Sequence, residues 1–272
     1  MRKRSIVRTL LVSLTAAVLL AGCTYESGAK QFKTTEFGTP QEKTDVPQTE
    51  SAAEWLKTAL EKGNTDKLAQ KFWYKGFVKN TLLSRTTTSM FDGAVIKPDG
   101  YNVDARIARQ EYQYYRIGDK RYVRVGDSWI TAQEDPLPFD ILRGFEDWLP
   151  FMDQAVQLAD EKVYGTLCVP FQLKMSGTDW VNGSTSKLFE PIKQQLAGRP
   201  DLESLLEQST IKTTFWIGKE DRLIHQYETW IILPVPGAGV MDQQVRFQFY
   251  KYGDEAGIKL KSPEEVEQYL LY

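Results

Sequence analysis

Histidine and cysteine are nearly absent: the 272 residues hold one histidine, His225, and two cysteines, Cys23 and Cys168. So few imidazoles and thiols leave no metal-ligand set and no disulfide framework. A Cys168–His225 nucleophile pair is the one arrangement of this kind that the residues allow. Cys168, however, sits in a regular alternating stretch, where cysteine packs as a small hydrophobe. His225 shares a strand face with Leu223, Tyr227 and Ile231, which reads as a packed or surface histidine. The run Asn182-Gly183-Ser184-Thr185-Ser186-Lys187 lacks the second glycine of a phosphate-binding loop. Asp99, Asn102 and Asp104 do not have the spacing of a calcium hand and read as a solvated turn. The sequence therefore predicts no catalytic residue, no metal and no cofactor. Nor is there an excess of basic charge: 34 Lys and Arg stand against 36 Asp and Glu. Four of the basic residues lie before position 9, so the remainder carries 30 − 36 = −6 formal charges. That excludes a general nucleic-acid binder.

What is present begins at the amino terminus. Arg2, Lys3, Arg4 and Arg8 precede an apolar run, Leu10 to Leu20, broken only by Ser13 and Thr15. A charged start, a short apolar core and a small-residue exit define a secretion signal, and the run is shorter than the roughly 20 residues of a membrane span. No later segment is long and apolar enough to cross a membrane. The ending Leu20-Ala21-Gly22-Cys23 resembles the lipobox of bacterial lipoproteins. The resemblance implies that Cys23 is joined to lipid, that residues 1–22 are removed, and that the protein is held at the extracytoplasmic face of the cell membrane. With Cys23 so used, Cys168 has no disulfide partner.

Residues 23–48 read as anchor and flexible tether: they are polar, hold Gly28, Gly38, Pro40 and Pro47, and show no apolar period. Residues 49–272 read as a single domain. A helix is predicted from Ser51, with Ala52, Trp55, Leu56 and Leu60 on one face and Gly63 as a stop. Strands begin at Phe72. Lys97-Pro98-Asp99-Gly100 marks a turn, and Gly118-Asp119 joins Glu111–Ile117 to Arg121–Val125 as a hairpin. A helical period returns from Phe139 to Val156, interrupted by Pro150. Val163, Gly165, Leu167, Val169, Phe171, Leu173 and Met175 alternate strictly, which predicts one half-buried strand. Residues 184–209 read as helix, broken at Gly198-Arg199-Pro200. Strands follow over 211–217, 222–233 and 245–252, and Ser262-Pro263-Glu264-Glu265 opens a last short helix. The fold class is α+β: a large antiparallel sheet with helices inserted between groups of strands.

Aromatic residues make up 12% of the chain, many of them on strands. Tyr115-Arg116-Ile117-Gly118-Asp119-Lys120-Arg121-Tyr122, followed by Gly126-Asp127-Ser128-Trp129, resembles a hairpin pair of Gram-positive envelope lipoproteins of the lipoprotein-localisation-factor type. Thr214-Phe215-Trp216-Ile217-Gly218-Lys219-Glu220-Asp221-Arg222-Leu223-Ile224 is similar to that group's second hairpin. The resemblance implies a sheet curved into a half-open barrel, with helices covering its concave face. It also implies a non-enzymatic protein that binds a lipid or acyl chain in the cavity. The strand face bearing Leu167 and Phe171 needs an apolar cover. The helix bearing Phe145, Trp148 and Leu149 and the strands bearing Trp216, Trp230, Phe247 and Phe249 are the candidates. A complete cover would make the same fold an interaction module or scaffold for an envelope protein partner.

Overall fold

A computed structural model describes residues 50–82, 85–107, 109–133, 135–137, 139–183, 201–235, 239–253, 257–261 and 263–268. The signal, Cys23 and the tether lie outside the described residues, as do residues 184–200 of the predicted central helix.

Helix α1 (Ala52–Thr65) starts where expected. The Ser51 hydroxyl accepts from the Glu54 backbone N–H at 3.2 Å, and the Glu54 carboxylate accepts from the Ser51 N–H at 3.0 Å. This reciprocal box satisfies two N–H groups left free at a helix start. The helix passes Gly63 and ends at Asp66, burying Leu56, Ala59 and Leu60. A 3-10 turn, Leu68–Gln70, then leads into the sheet.

The strands are β1 (Lys71–Leu82), β2 (Arg85–Ile96), β3 (Gly100–Ile107), β4 (Gln110–Ile117), β5 (Lys120–Val125), β6 (Ser128–Thr131), β7 (Val156–Gln157), β8 (Glu161–Val163), β9 (Thr166–Ser176), β10 (Thr210–Gly218), β11 (Ile224–Val235) and β12 (Gly239–Tyr250). They form one antiparallel sheet in the order β6-β5-β4-β3-β2-β1-β12-β11-β10-β9-β7, with β8 also on β9. The order ends in two different edges, so the half-barrel is open. Helices α2 (Gly177–Gly183) and α3 (Leu202–Gln208) pack beside β9 and β11. Helix α4 (Pro263–Glu267) sets Val266 against Tyr122 and Trp129 at the β5–β6 edge.

Register places aromatics in one row across the sheet. Phe91 on β2 faces Gly76 on β1, which faces Phe247 on β12. Phe247 faces Tyr227 on β11, Tyr227 faces Phe215 on β10, and Phe215 faces Phe171 on β9. Directly opposed side chains on one face lie within contact distance, so the row is continuous except at Gly76. The glycine is required there: a Cβ would lie 2.4 Å from the Phe247 ring. With the side chain missing, Phe247 and Phe91 stack across the gap at 5.9 Å and 26°.

Three elements differ from expectation for identifiable reasons. The predicted strand 163–175 is a hairpin. Tyr164 and Gly165 both have positive φ, 48° and 86°, and turn the chain so that Val163 pairs with Thr166. Two such residues match the twist of a tight β-hairpin. Val163 consequently joins Cys168 and Trp216 on the opposite face from Val169 and Phe171. The predicted helix from Phe139 to Val156 is a turn followed by a 3-10 helix, Glu146–Gln154. Gly144 has φ 72°, and Pro150 removes a donor and clashes with the preceding turn. Finally, β11 carries an extra residue: Ile217 pairs with Ile224, but Trp216 pairs with Gln226. The bulge at His225 breaks the alternation that put it on the Tyr227 face.

Gly76→Val should overpack the row at Phe247 and lower stability by about 1–3 kcal/mol. Chemical denaturation of the variant checks this. An unchanged midpoint would mean that the row tolerates a side chain at that position.

Candidate apolar-ligand site

The residues that cover the row come from α1 and from the segment 132–155. Phe145 lies over Tyr227 at 4.6 Å and meets Phe215 edge-on at 5.3 Å. Phe139 meets Phe247 edge-on at 4.9 Å. Trp148 packs on Trp180 of α2 at 4.0 Å and on Phe215 at 5.9 Å. Trp55 of α1 covers Phe171 at 5.8 Å. Each offset or edge-to-face pair adds about 0.5–1.5 kcal/mol beyond area burial.

Several polar side chains beneath this cover are paired, while the indole N–H groups of Trp55 and Trp180 are buried without a hydrogen-bond partner. Thr213 and Thr229 share a 2.9 Å hydrogen bond, and Thr229 donates to the Tyr227 hydroxyl at 2.5 Å. Tyr74 donates to the Asn102 carbonyl at 2.8 Å. Burial raises the pKa of both tyrosines above the usual phenol range, so they stay neutral and add no charge to an apolar interior.

A cavity of about 40 Å³ remains at the edge of the cover, bounded by Leu60, Phe72, Phe139, Phe145, Phe249 and Tyr252. Among the described residues, Lys97 is the only charged one lining it. Its ammonium donates to the Gly63 carbonyl and to Asn64 Oδ1, both at 2.9 Å. Burial lowers its pKa to about 8, against the opposing pull of Glu146 and Asp140.

The cover is held at its start by ionic contacts. Asp135 accepts from the Tyr114 hydroxyl, from Arg121 Nε at 3.2 Å and from Arg116 at 3.4 Å. Asp140 lies 3.7 Å from Arg116. Further along, Asn64 of α1 donates to Glu146 at 2.7 Å and to the Arg143 carbonyl at 3.1 Å. At the far end, β7 pairs with β9.

The sequence-derived candidates divide into two groups. Phe145, Trp148, Phe171, Phe247 and Phe249 converge on the concave interior, with Leu149 packed at its edge. Trp216 lies on the other face with Val163 and Cys168, its Nε1 donating to Glu161 at 2.8 Å. Trp230, four residues after the β11 bulge, faces Lys212 and Gln244 on that same outer face. Leu167, beside the β8–β9 turn, is 44% exposed. Cys23 lies outside the described residues. Phe215, Tyr227, Phe91 and Trp180 were not singled out, although all belong to the interior. The signal for Phe215 and Tyr227 was alternation carried across two strands, which needs the register to be read. Trp180 sits in a short helix with no apolar period of its own.

His225 and Cys168 do not form a nucleophilic pair. The imidazole shares a 2.8 Å hydrogen bond with Asp221 and meets Tyr252 edge-on at 5.6 Å. The Cys168 Sγ contacts the Thr166 carbonyl, and burial pushes its pKa up to about 12. A thiol so protonated is a poor nucleophile.

No family model matches the chain, and no curated protein matches it. Solved structures similar to it include the lipoprotein LppX from Mycobacterium tuberculosis: 12% identity, 75% of this chain and 97% of that one, TM-score 0.43. LprF from Mycobacterium bovis is 10% identical over 78% of this chain and 97% of that one, TM-score 0.42. A LolA superfamily protein from Nitrosomonas europaea is 9% identical over 80% and 97%, TM-score 0.32. Likenesses this loose assign no ligand, partner or activity to this chain, and the fold class stands on its own strand pairing.

Burial works against ionisation of Asp135, but its bonds from Tyr114, Tyr101, Arg121 and Arg116 prevail and lower its pKa. Its contribution is therefore complete above the ordinary carboxylate range and is lost as pH falls through the lowered value. Protection of the amides over 139–155, corrected for the intrinsic slowing of exchange at low pH, should fall in that acid limb. Asp135→Asn should exchange faster at neutral pH and lose part of the limb. Identical profiles for the two proteins would show that Asp135 does not clamp the cover.

Proposed function

We propose that the chain is a non-enzymatic lipoprotein of the bacterial cell envelope, anchored through lipid on Cys23 at the extracytoplasmic face of the membrane. Residues 1–22 are its signal, residues 23–48 its anchor and tether, and residues 49–272 one unit that takes up a lipid or acyl chain. The aromatic row provides the binding face, and the segment 139–155 is the lid.

One observation carries this reading. An aromatic face six strands wide is closed by a segment of turns and one 3-10 helix, Glu146–Gln154, and a cavity stands at that segment's edge. Removing Phe139 and Phe145 from the row would open the cavity into a slot along Phe247, Tyr227 and Phe215. The arrangement described is then the closed state, since ligand pockets usually measure about 300–1,000 Å³, against about 40 Å³ here. The same filled interior favours a second reading, an interaction module whose aromatics are plain core and whose surface binds an envelope protein.

Two measurements test the proposal. Metabolic labelling with a fatty-acid analogue should mark the wild type and not Cys23→Ala, which should also keep its signal segment. Equal labelling of both would remove the anchor. Separately, purified residues 24–272 should bind a fluorescent fatty acid saturably, with exchange changing first over 139–155. No saturable binding, with Phe145→Ala losing about 3–5 kcal/mol of stability as a core truncation does, would establish the interaction module instead.

A further inference from the structure

One end of the half-barrel collects features that its stable fold does not require. The chain reaches α1 there: Glu50 pairs with Arg222 of the β10–β11 turn at 3.1 Å, and Arg222 stacks over Trp55 at 3.5 Å. The β8–β9 turn, the β10–β11 turn, the exit from β12 and the approach to β1 all lie at this end. Lys219 N donates to the Leu167 carbonyl, and Gly253 N donates to the Leu68 carbonyl, both at 3.0 Å.

Among the described residues, three of the five exposed large hydrophobic side chains are found here: Tyr164 at 60%, Leu68 at 49% and Leu167 at 44%. Of the other two, Val156 is on the β7 edge and Val240 at the opposite tip. Tyr164 extends the patch by packing on Tyr250 at 5.5 Å. Exposed lysines Lys67, Lys162, Lys219 and Lys251 stand next to these residues in the chain or across the turns, Lys219 paired with Asp160 at 2.8 Å. Tyr164, Arg222 and Lys251, all at this end, have positive φ. A bulky residue in that region is held against its own preference. Asparagine or glycine would suit the Tyr164 turn better.

We infer that this end rests on the bilayer surface, with Tyr164, Leu167 and Leu68 in the headgroup region. Tyrosine and leucine ringed by lysines suit that boundary: rings and aliphatic groups enter it while ammonium groups stay in water. The anchor favours the same orientation: Glu50, 50 − 23 = 27 residues after Cys23, lies at this end on Arg222, so docking here keeps the point where the chain enters the fold nearest the lipidated residue. The cavity lined by Gly63, Leu223 and Tyr252 lies towards this end, so docking here would bring it close to the membrane.

The inference rests on the lipoprotein reading, and one experiment separates the two. The full lipidated chain is reconstituted in phosphatidylcholine vesicles containing a headgroup-region nitroxide lipid. Leu68→Cys, Tyr164→Cys and Val240→Cys each carry an environment-sensitive fluorophore. Cys23 is blocked by lipid, and Cys168 is fully buried. Flotation with the vesicles reports the anchor. Quenching and a blue shift at 68 and 164, but not at 240, report the orientation, and Tyr164→Ser with Leu167→Ser should reduce quenching at 68. Flotation with equal quenching at all three positions, or none, overturns the docking end alone. Failure to float overturns both it and the anchor.

Discussion

Six strands must hold one register for Phe91, Phe247, Tyr227, Phe215 and Phe171 to stand in a row with Gly76 between them. A slip of one residue in any strand would turn its ring to the opposite face. The gap at Gly76 is as necessary as the rings, because Phe247 lies in the space where a Cβ would be. Everything on the concave side is arranged to keep water off this row. Helix α1 reaches Phe171 with Trp55, α2 supplies Trp180, and the segment 132–155 lays Phe139, Phe145 and Trp148 along the middle.

That segment cannot become a regular α-helix, and the reasons are local. Gly144 adopts a left-handed conformation and Pro150 withholds a donor. Its position is fixed by side chains instead: carboxylates at 135 and 140 on the guanidinium of Arg116, and Asn64 on Glu146. Rings attract it to the row, while charges and amides hold its start and flank. Surface ion pairs of this kind contribute about 0–1 kcal/mol each. The segment is thus held by many small terms, several of them open to acid or to a competing apolar chain.

Much of the fold was legible in the sequence, and the failures share a cause. The helix start at Ser51, the Gly118-Asp119 hairpin and the strands after Ile211 are local patterns, and they appear where local physics puts them. The α+β class and the large antiparallel sheet follow from their order, and its open half-barrel form from the family resemblance. Trp216 and Trp230 were assigned to the interior by aromatic content, but strand parity puts both on the outer face. Leu167 and Val163 were placed by alternation alone, which the Tyr164-Gly165 turn interrupts. His225 was placed the same way and was displaced by a bulge. For Val163 and His225 a turn or bulge shifts the period, for the two tryptophans and Leu167 the strand's parity or its end decides, and only cross-strand pairing reveals either.

The filled interior bears on how a ligand could be exchanged. An acyl chain taken from water would gain about 0.8 kcal/mol per methylene, far more than the cover loses by leaving the row. An acyl chain taken from a bilayer gains almost none of this, because it is already in hydrocarbon. On the proposed function, loading from a membrane would therefore be a near-balanced exchange between lipid methylenes and the rings of Phe139 and Phe145. With the net free energy so small, the exposure of the chain to water during transfer becomes the dominant barrier. A half-barrel that presents its cavity edge to the bilayer lowers that barrier without needing tighter binding. On that reading, collapse of the aromatics when no lipid is bound would protect the row from water and leave the equilibrium free to run in either direction.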